Sequence, residues 1–276
     1  MTVKTVLHVE ENENNRKILY IENDDENIFR KLIEPKHLVF NQGVLEPSKL
    51  KFLLKDELSQ TYDEIGVYDQ KNKPLVIVPT FTASAYSEPG FYTFYKGECD
   101  TELHGMLFRD SDCLTVKILT RDHLKYSSSS NAVQILELLG YNSITDTELH
   151  NNPSILTKYN KIIMLHNEYV SKPMFDAITS HDNVIFLYPN SLYAEVDVNM
   201  IDNTITLIRG HNYPEITITN GFNWINENTH PFEYDDECES WEFYATDGSP
   251  DGYMLNCFPE NKIWQDQSLL QKLKDL

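Results

Sequence analysis

The chain has 276 residues, 43 acidic against 23 basic side chains, a formal net charge of −20 and a pI near 4.7. That length is enough for one large domain or two ordinary ones, and 41% hydrophobic with 12% aromatic residues is a globular composition, not a disordered one. The acidic excess argues against a nucleic-acid partner, which needs clustered Lys and Arg.

The N-terminus "MTVKTVLHVEEN" has no apolar core and no small-residue cleavage site, and no stretch approaches 18 consecutive apolar residues. The expectation is a soluble, cytoplasmic protein without a membrane partner, with a homo-oligomer left open. Cys99, Cys113, Cys238 and Cys257 form no C-x-x-C pair, which removes zinc-ribbon and thioredoxin-like readings. Free buried thiols are expected in a cytoplasmic chain.

Residues 1–112 read as a β-rich, sandwich-like accessory domain. Runs such as "TVLHVE", "KILYIE", "HLVFNQ", "PLVIVPTFT" and "GFYTFYKG" alternate or carry β-branched and aromatic residues, with turn signals between them. "ENIFRKLI" over 26–33 suits a short helix. His8, His37 and His104 lack metal-ligand spacing.

From Leu114 the rhythm changes, and residues 113–276 read as an α/β domain with an irregular acidic C-terminal region. "LTVKIL" is a strand. A helix follows with Ala132, Ile135, Leu136 and Leu139 on one face, four serines to cap it and Gly140 to close it. "NSITD", "KIIML" and "NVIFLY" are further strands, with "KPMFDAITSH" a helix between the last two. Such alternation predicts a doubly wound, mostly parallel sheet. "AEVDVNMIDNTITLIRG" is a hairpin appended to it, and "QDQSLLQKLKDL" is a closing helix.

Motifs of nucleophilic and phosphate chemistry are missing. No Cys or Ser stands in a G-x-C-x-G or G-x-S-x-G elbow, and there is neither a G-x-x-x-x-G-K-[ST] nor a G-x-G-x-x-G loop. There is no H-E-x-x-H. The α/β part offers hard oxygen donors instead: Tyr126 in "RDHLKYSSSS", Tyr169 in "HNEYVS", and the carboxylates of "FEYDDECESWEF". Phenolates and carboxylates suit a hard ion such as Fe(III). Taken one by one, each has a plainer structural role: His166 as a strand-end histidine, Glu168 as a helix cap, Asn190 as a turn residue.

Two phrases in order change this balance. "SITDTELH" (143–150) followed by "YNKIIMLHNEYVSKPM" (159–174) resembles the C-terminal catalytic domain of the N,N-dimethylformamidase large-subunit family, where an I-T-D-E-D-L-H phrase precedes a strand ending H-x-E-Y-x-S. The family's later G-G-N turn is Tyr188-Pro189-Asn190 here, so the Asn alone is kept. The resemblance spans 114–211. It implies a class-I glutamine-amidotransferase-like fold and one iron, Fe(III), held by two tyrosines and a glutamate. Matching phrases carries the tyrosines to Tyr126 and Tyr169, and the glutamate to Glu237 in "DECESW", with Glu239 the neighbouring choice.

His166 and Asn190 would then be catalytic, steadying an oxyanion or moving a proton. The implied activity is iron-dependent hydrolysis of a small amide C–N bond, a metal-bound hydroxide attacking a polarised carbonyl, with a small-molecule amide as substrate. The rival reading is a binding or assembly module that keeps the framework without the chemistry. A third is a metal-free hydrolase using His166 and the carboxylates.

Overall fold

The computed structural model describes residues 4–11, 17–24, 27–41, 44–47, 49–99, 102–103, 106–107 and 113–276, and His104 lies outside them. The chain divides into two compact units. One comprises Met1–Lys71, Ser130–Tyr141 and Glu260–Leu276, the other Asn72–Ser129 and Asn142–Pro259. Both mix helices with strands, and parallel and antiparallel pairing both occur.

In the first unit the strands Lys4–Glu11, Lys17–Asp24, Arg30–Ile33 and Lys51–Leu53 form an antiparallel sheet in that order, and Leu38–Asn41 pairs with Val44–Pro47 as a separate hairpin. Residues 30–33 are thus extended, not the helix expected over 26–33. Their neighbours on both sides supply the pairing, and local propensity yields to it. The helix Ser130–Leu138 belongs to this unit: the Gln134 amide donates to Leu50 O at 3.0 Å and accepts from Phe52 N at 3.3 Å.

The serines flanking that helix contribute less to its cap than expected. The buried Glu260 carboxylate accepts from Asn131 N at 2.7 Å, placing a negative charge on the positive end of the helix. Gly140 closes the helix at φ 87°, as its position suggested. Phe52 packs on Trp264 with ring centres 5.7 Å apart, and Lys31 lies over the same indole.

The second unit carries the parallel strands Leu75–Val78, Asn142–Thr145, Ile162–Met164, Val184–Phe186 and Gly252–Leu255, with Phe243–Ala245 antiparallel at the edge. Numbered along the chain, the parallel strands run 2-1-3-4-5 across the sheet. The side chains of Leu75–Val78, Ile162–Met164 and Val184–Phe186 are buried on both faces, which is why these three read as solid apolar runs, whereas Asn142–Thr145 and Gly252–Leu255 are partly exposed. Leu75, Ile77, Ile162, Met164, Val184 and Phe186 join one core, each contributing about 1.5–3 kcal/mol by burial.

Three expectations are corrected here. "PLVIV" is not part of an accessory β domain but the first strand of this parallel sheet, followed directly by the helix Thr80–Ala85. "GFYTFY" is a helix, Phe91–Tyr95, opened by Gly90 N–H donating to Thr93 Oγ1 at 2.9 Å. The hairpin Ala194–Asn199/Thr204–Arg209 does not extend the parallel sheet. It builds a second sheet with Thr115–Lys117 and Tyr169–Val170.

The free thiols are the fourth correction. Cys99 pairs with Cys113 (Cα–Cα 6.2 Å) and Cys238 with Cys257 (Cα–Cα 5.4 Å), leaving no free cysteine. Folding alone brings these partners together, 14 and 19 residues apart in sequence, so no local motif announces them. Closing loops of this length contributes about 3 kcal/mol each by constraining the unfolded chain. Disulfides persist in oxidising compartments, so the cytoplasmic expectation loses the support it drew from thiols. No helix among the described residues is long and apolar enough to cross a membrane.

Two outcomes are expected. Intact mass without reductant should fall four hydrogens below the reduced chain. Gly252→Ala should lower stability to urea by ~1–3 kcal/mol or more, because a Cβ there would sit 2.0 Å from Val184 O.

Candidate functional site

In doubly wound sheets ligands bind beyond the carboxyl ends of the strands, where the strand order reverses. Here that point lies between Leu75–Val78 and Ile162–Met164, which are parallel neighbours. The segments leaving them, 79–86 and 165–171, carry the buried polar residues Thr80, Thr82, Ser84, His166, Asn167, Glu168 and Ser171.

Those segments are held rigidly. The buried Asp146 carboxylate accepts from Phe81 N and from Asn167 Nδ2, both at 2.8 Å. Asn167 Oδ1 accepts in turn from Leu165 N at 2.8 Å, and Glu168 N donates to Thr82 Oγ1 at 3.0 Å. His150 Nδ1 and Ser171 Oγ stand 2.8 Å apart. "SITDTELH" and "HNEYVS" are therefore joined side chain to side chain, Asp146 to Asn167 and His150 to Ser171. Thr145 and Glu148 of the first phrase make a capping box, Glu148 N to Thr145 Oγ1 at 3.2 Å and Thr145 N to Glu148 Oε2 at 2.7 Å.

The clamp presents Glu168, fully buried. Its Oε1 accepts from Tyr92 Oη at 3.3 Å and bonds His211 Nε2 closely, while Oε2 lies 3.8 Å from His166 Nε2. Burial alone would raise this carboxyl, but His211 and His166 outweigh it and hold the pKa below the usual range. Tyr92 bonds Tyr86 at 2.8 Å between hydroxyls, and their rings stack at 4.2 Å. Tyr169 stacks on His211 at 5.7 Å, with its hydroxyl buried. Burial first, then the Glu168 charge, pushes the Tyr86, Tyr92 and Tyr169 phenols above 10, so they are donors at neutral pH.

Tyr86 and His166 also wall a pocket of about 250 Å³ with Tyr126, Ser127, Asn190 and Phe258, which Glu233, Tyr234 and Asp236 complete. His166 Nδ1 meets the Ser127 carbonyl at 2.6 Å, so Nδ1 donates there and Nε2 is left facing Glu168. Buried polar groups nearly always find partners. Here His166 Nε2, Glu168 Oε2, the Tyr169 hydroxyl and both side-chain polar atoms of Asn190 have none. Asn190 adopts φ 62°, a left-handed conformation asparagine tolerates, and Leu192 shares it at φ 59°.

The sequence-derived candidates fall into different places. Tyr126, His166 and Asn190 line one pocket. Tyr169 lies in the tyrosine cluster on Glu168, 5.1 Å from the Phe91 ring. Glu237 is exposed, and neither it nor Glu239 lines that pocket. Among the described residues, no three His, Cys, Asp or Glu side chains gather as a metal site. The sequence reading passed over Tyr86, Tyr92, Asp146 and His211. Tyr92 sat in a run read as a strand, Tyr86 lay between two such runs, and His211 comes from a turn after the hairpin, so no local signal marked them.

The protein-family model described as N,N-dimethylformamidase beta subunit-like, C-terminal, matches residues 48–231, about two thirds of the chain. The match takes in Tyr86, Tyr126, His166, Tyr169 and Asn190 and ends before Glu233, Asp236 and Glu237. No curated protein matches the chain.

Asp146 allows a direct test. Burial pushes its pKa up to about 7, against the opposing pull of its bonds to Phe81 and Asn167, from an ordinary value of 3.8. The folded chain then keeps a proton that the unfolded chain releases. This group's contribution to stability is complete below about pH 4 and is lost as pH rises through about 7. Asp146→Ala should cost about 2–5 kcal/mol by orphaning two buried donors. Asp146→Asn should flatten the fall in urea stability between pH 5 and 8.

Proposed function

Because the chain belongs to the N,N-dimethylformamidase beta subunit-like, C-terminal family, we propose that it hydrolyses the C–N bond of a small amide in the pocket beside Tyr86 and His166. The observation that carries this reading is the group of buried, unpartnered polar atoms at the switch point of the sheet: Asn190 on both side-chain atoms, His166 Nε2 and Glu168 Oε2. The 2-1-3-4-5 strand order supports the glutamine-amidotransferase-like class we assign to the second unit.

The chemistry follows from the placement of each group. Asn190 Nδ2 donates to the substrate carbonyl oxygen, and its Oδ1 accepts an amide N–H where one is present. His166 Nε2 takes a proton from the attacking water as the new C–O bond forms, and returns it to the nitrogen as the C–N bond breaks. A carboxylic acid and an amine leave. Glu168, 3.8 Å away, stabilises the imidazolium between these steps. Ser127 O holds the ring in the tautomer that this sequence requires.

Fe(III) is the cofactor we propose on the strength of the resemblance, and the donor chemistry fits it. Glu168 Oε2 and the Tyr169 hydroxyl are hard oxygens without a hydrogen-bond partner, with the Tyr92 hydroxyl bonded to Glu168 Oε1 and Tyr86 bonded to Tyr92. Such an ion supplies Lewis-acid polarisation of the carbonyl when bound. Tyr169 is the resemblance-derived ligand that belongs to this cluster. Tyr126 instead contributes to the pocket wall, its ring 5.5 Å from Phe258.

His166→Gln and Asn190→Asp should each lower amide turnover by about 10²–10⁴-fold in protein that still melts cooperatively. Metal analysis and a visible spectrum complete the test. About one iron per chain, with an absorption band lost in Tyr169→Phe, is expected from a phenolate ligand. A colourless protein that turns over no amide after reconstitution with iron would favour the binding-module reading.

A further inference from the structure

The pocket is lined by two chemically distinct sets of residues. Asn190 and His166 are 1% and 4% exposed, and they bring unpartnered amide and imidazole atoms to its wall. The remaining lining consists of the aromatic rings of Tyr86, Tyr126, Tyr234 and Phe258 and the carboxylates of Glu233 and Asp236. Among the described residues, no Lys or Arg lines it. Those two carboxylates repel an anionic substrate and offer a neutral one only hydrogen-bond acceptance, whereas a cation gains charge attraction from the carboxylates and from the rings. Aromatic faces attract a desolvated cation by about 0.5–2 kcal/mol each, and a quaternary ammonium ion loses little hydration on entering such a cage.

We propose, on the amidase reading above, that the substrate is a small amide carrying an ammonium group, protonated or quaternary, with its amide at Asn190 and His166 and its cation among the rings and the Glu233 and Asp236 carboxylates. The size agrees. A volume of about 250 Å³ equals roughly eight waters at ~30 Å³ each, room for an acyl group, a short linker and one substituted nitrogen. The two carboxylates lie beyond residue 231, outside the family match, so the cationic end is a property of this chain's own C-terminal segment. Tyr234 is 84% exposed and stands at the open side, beside Glu233.

The experiment uses three probes sharing one amide: N-[2-(trimethylammonio)ethyl]acetamide, its uncharged carbon isostere N-(3,3-dimethylbutyl)acetamide, and N-acetyl-β-alanine. Each is titrated calorimetrically into the full-length protein at low ionic strength, and released acetate or amine is measured in parallel. The ammonium probe should bind at least about tenfold more tightly than the isostere, and the carboxylate probe weakest. In the Glu233→Gln/Asp236→Asn double variant, with its melting temperature checked, that preference should vanish while isostere binding stays unchanged. Equal binding of the first two probes, a preference that survives in the double variant, or no binding of the ammonium probe overturns the assignment. Hydrolysis is scored separately. Ammonium preference without turnover upholds the cation site and sinks the amidase reading, whereas turnover without preference does the reverse.

Discussion

The buried carboxylate of Asp146 is the constraint on which the candidate site depends. One of its oxygens fixes the start of the helix Thr80–Ala85 through Phe81 N, and the other fixes the strand exit at 165–168 through Asn167. These segments follow adjacent parallel strands that have no other reason to present their polar ends in one geometry. Thr82, on that helix, accepts from Glu168 N, and Asn167 O and Glu168 O accept from Leu192 N and Tyr193 N. A single acidic side chain thereby organises three strand exits, and each bond it makes would be an orphaned donor without it.

Around Glu168 the electrostatics are arranged in layers. An ionised carboxylate with no water access is tolerated because His211 and His166 face it from two sides. The surrounding phenols are kept protonated by burial and by that same charge, so the cluster is rich in hydrogen-bond donors and poor in positive charge. A cation placed beside them would reverse the phenols' preference, since it favours phenolate as strongly as the carboxylate opposes it.

The disulfides and the 2-1-3-4-5 sheet give these loops a stiff frame. Cys238–Cys257 ties the acidic segment to the residues just after the strand Gly252–Leu255, and that strand seats against Val184–Phe186 so closely that only glycine fits at its start. The disulfide and the bond from Phe258 N to Asp235 O at 2.7 Å tether the acidic segment beside the pocket, with Asp236 exposed.

Much of the parallel sheet was legible in the sequence. "KIIML" and "NVIFLY" are compact apolar runs, and burial on both faces leaves that imprint on composition whatever their neighbours. The resemblance carried by "SITDTELH" and "HNEYVS" was legible for a similar reason. Their polar residues are bonded to one another, so the two phrases have to appear together. Strand order, the helical state of "GFYTFY", the cysteine pairing and the company of Tyr169 were not legible. Each depends on contacts between residues far apart in the chain, which periodicity does not record. Tyr169 was identified from its phrase alone. That it shares its surroundings with His211, and that His166 and Asn190 face a common pocket with Tyr126, was decided by the tertiary structure, because only the crossing of distant segments brings those side chains within a few ångströms.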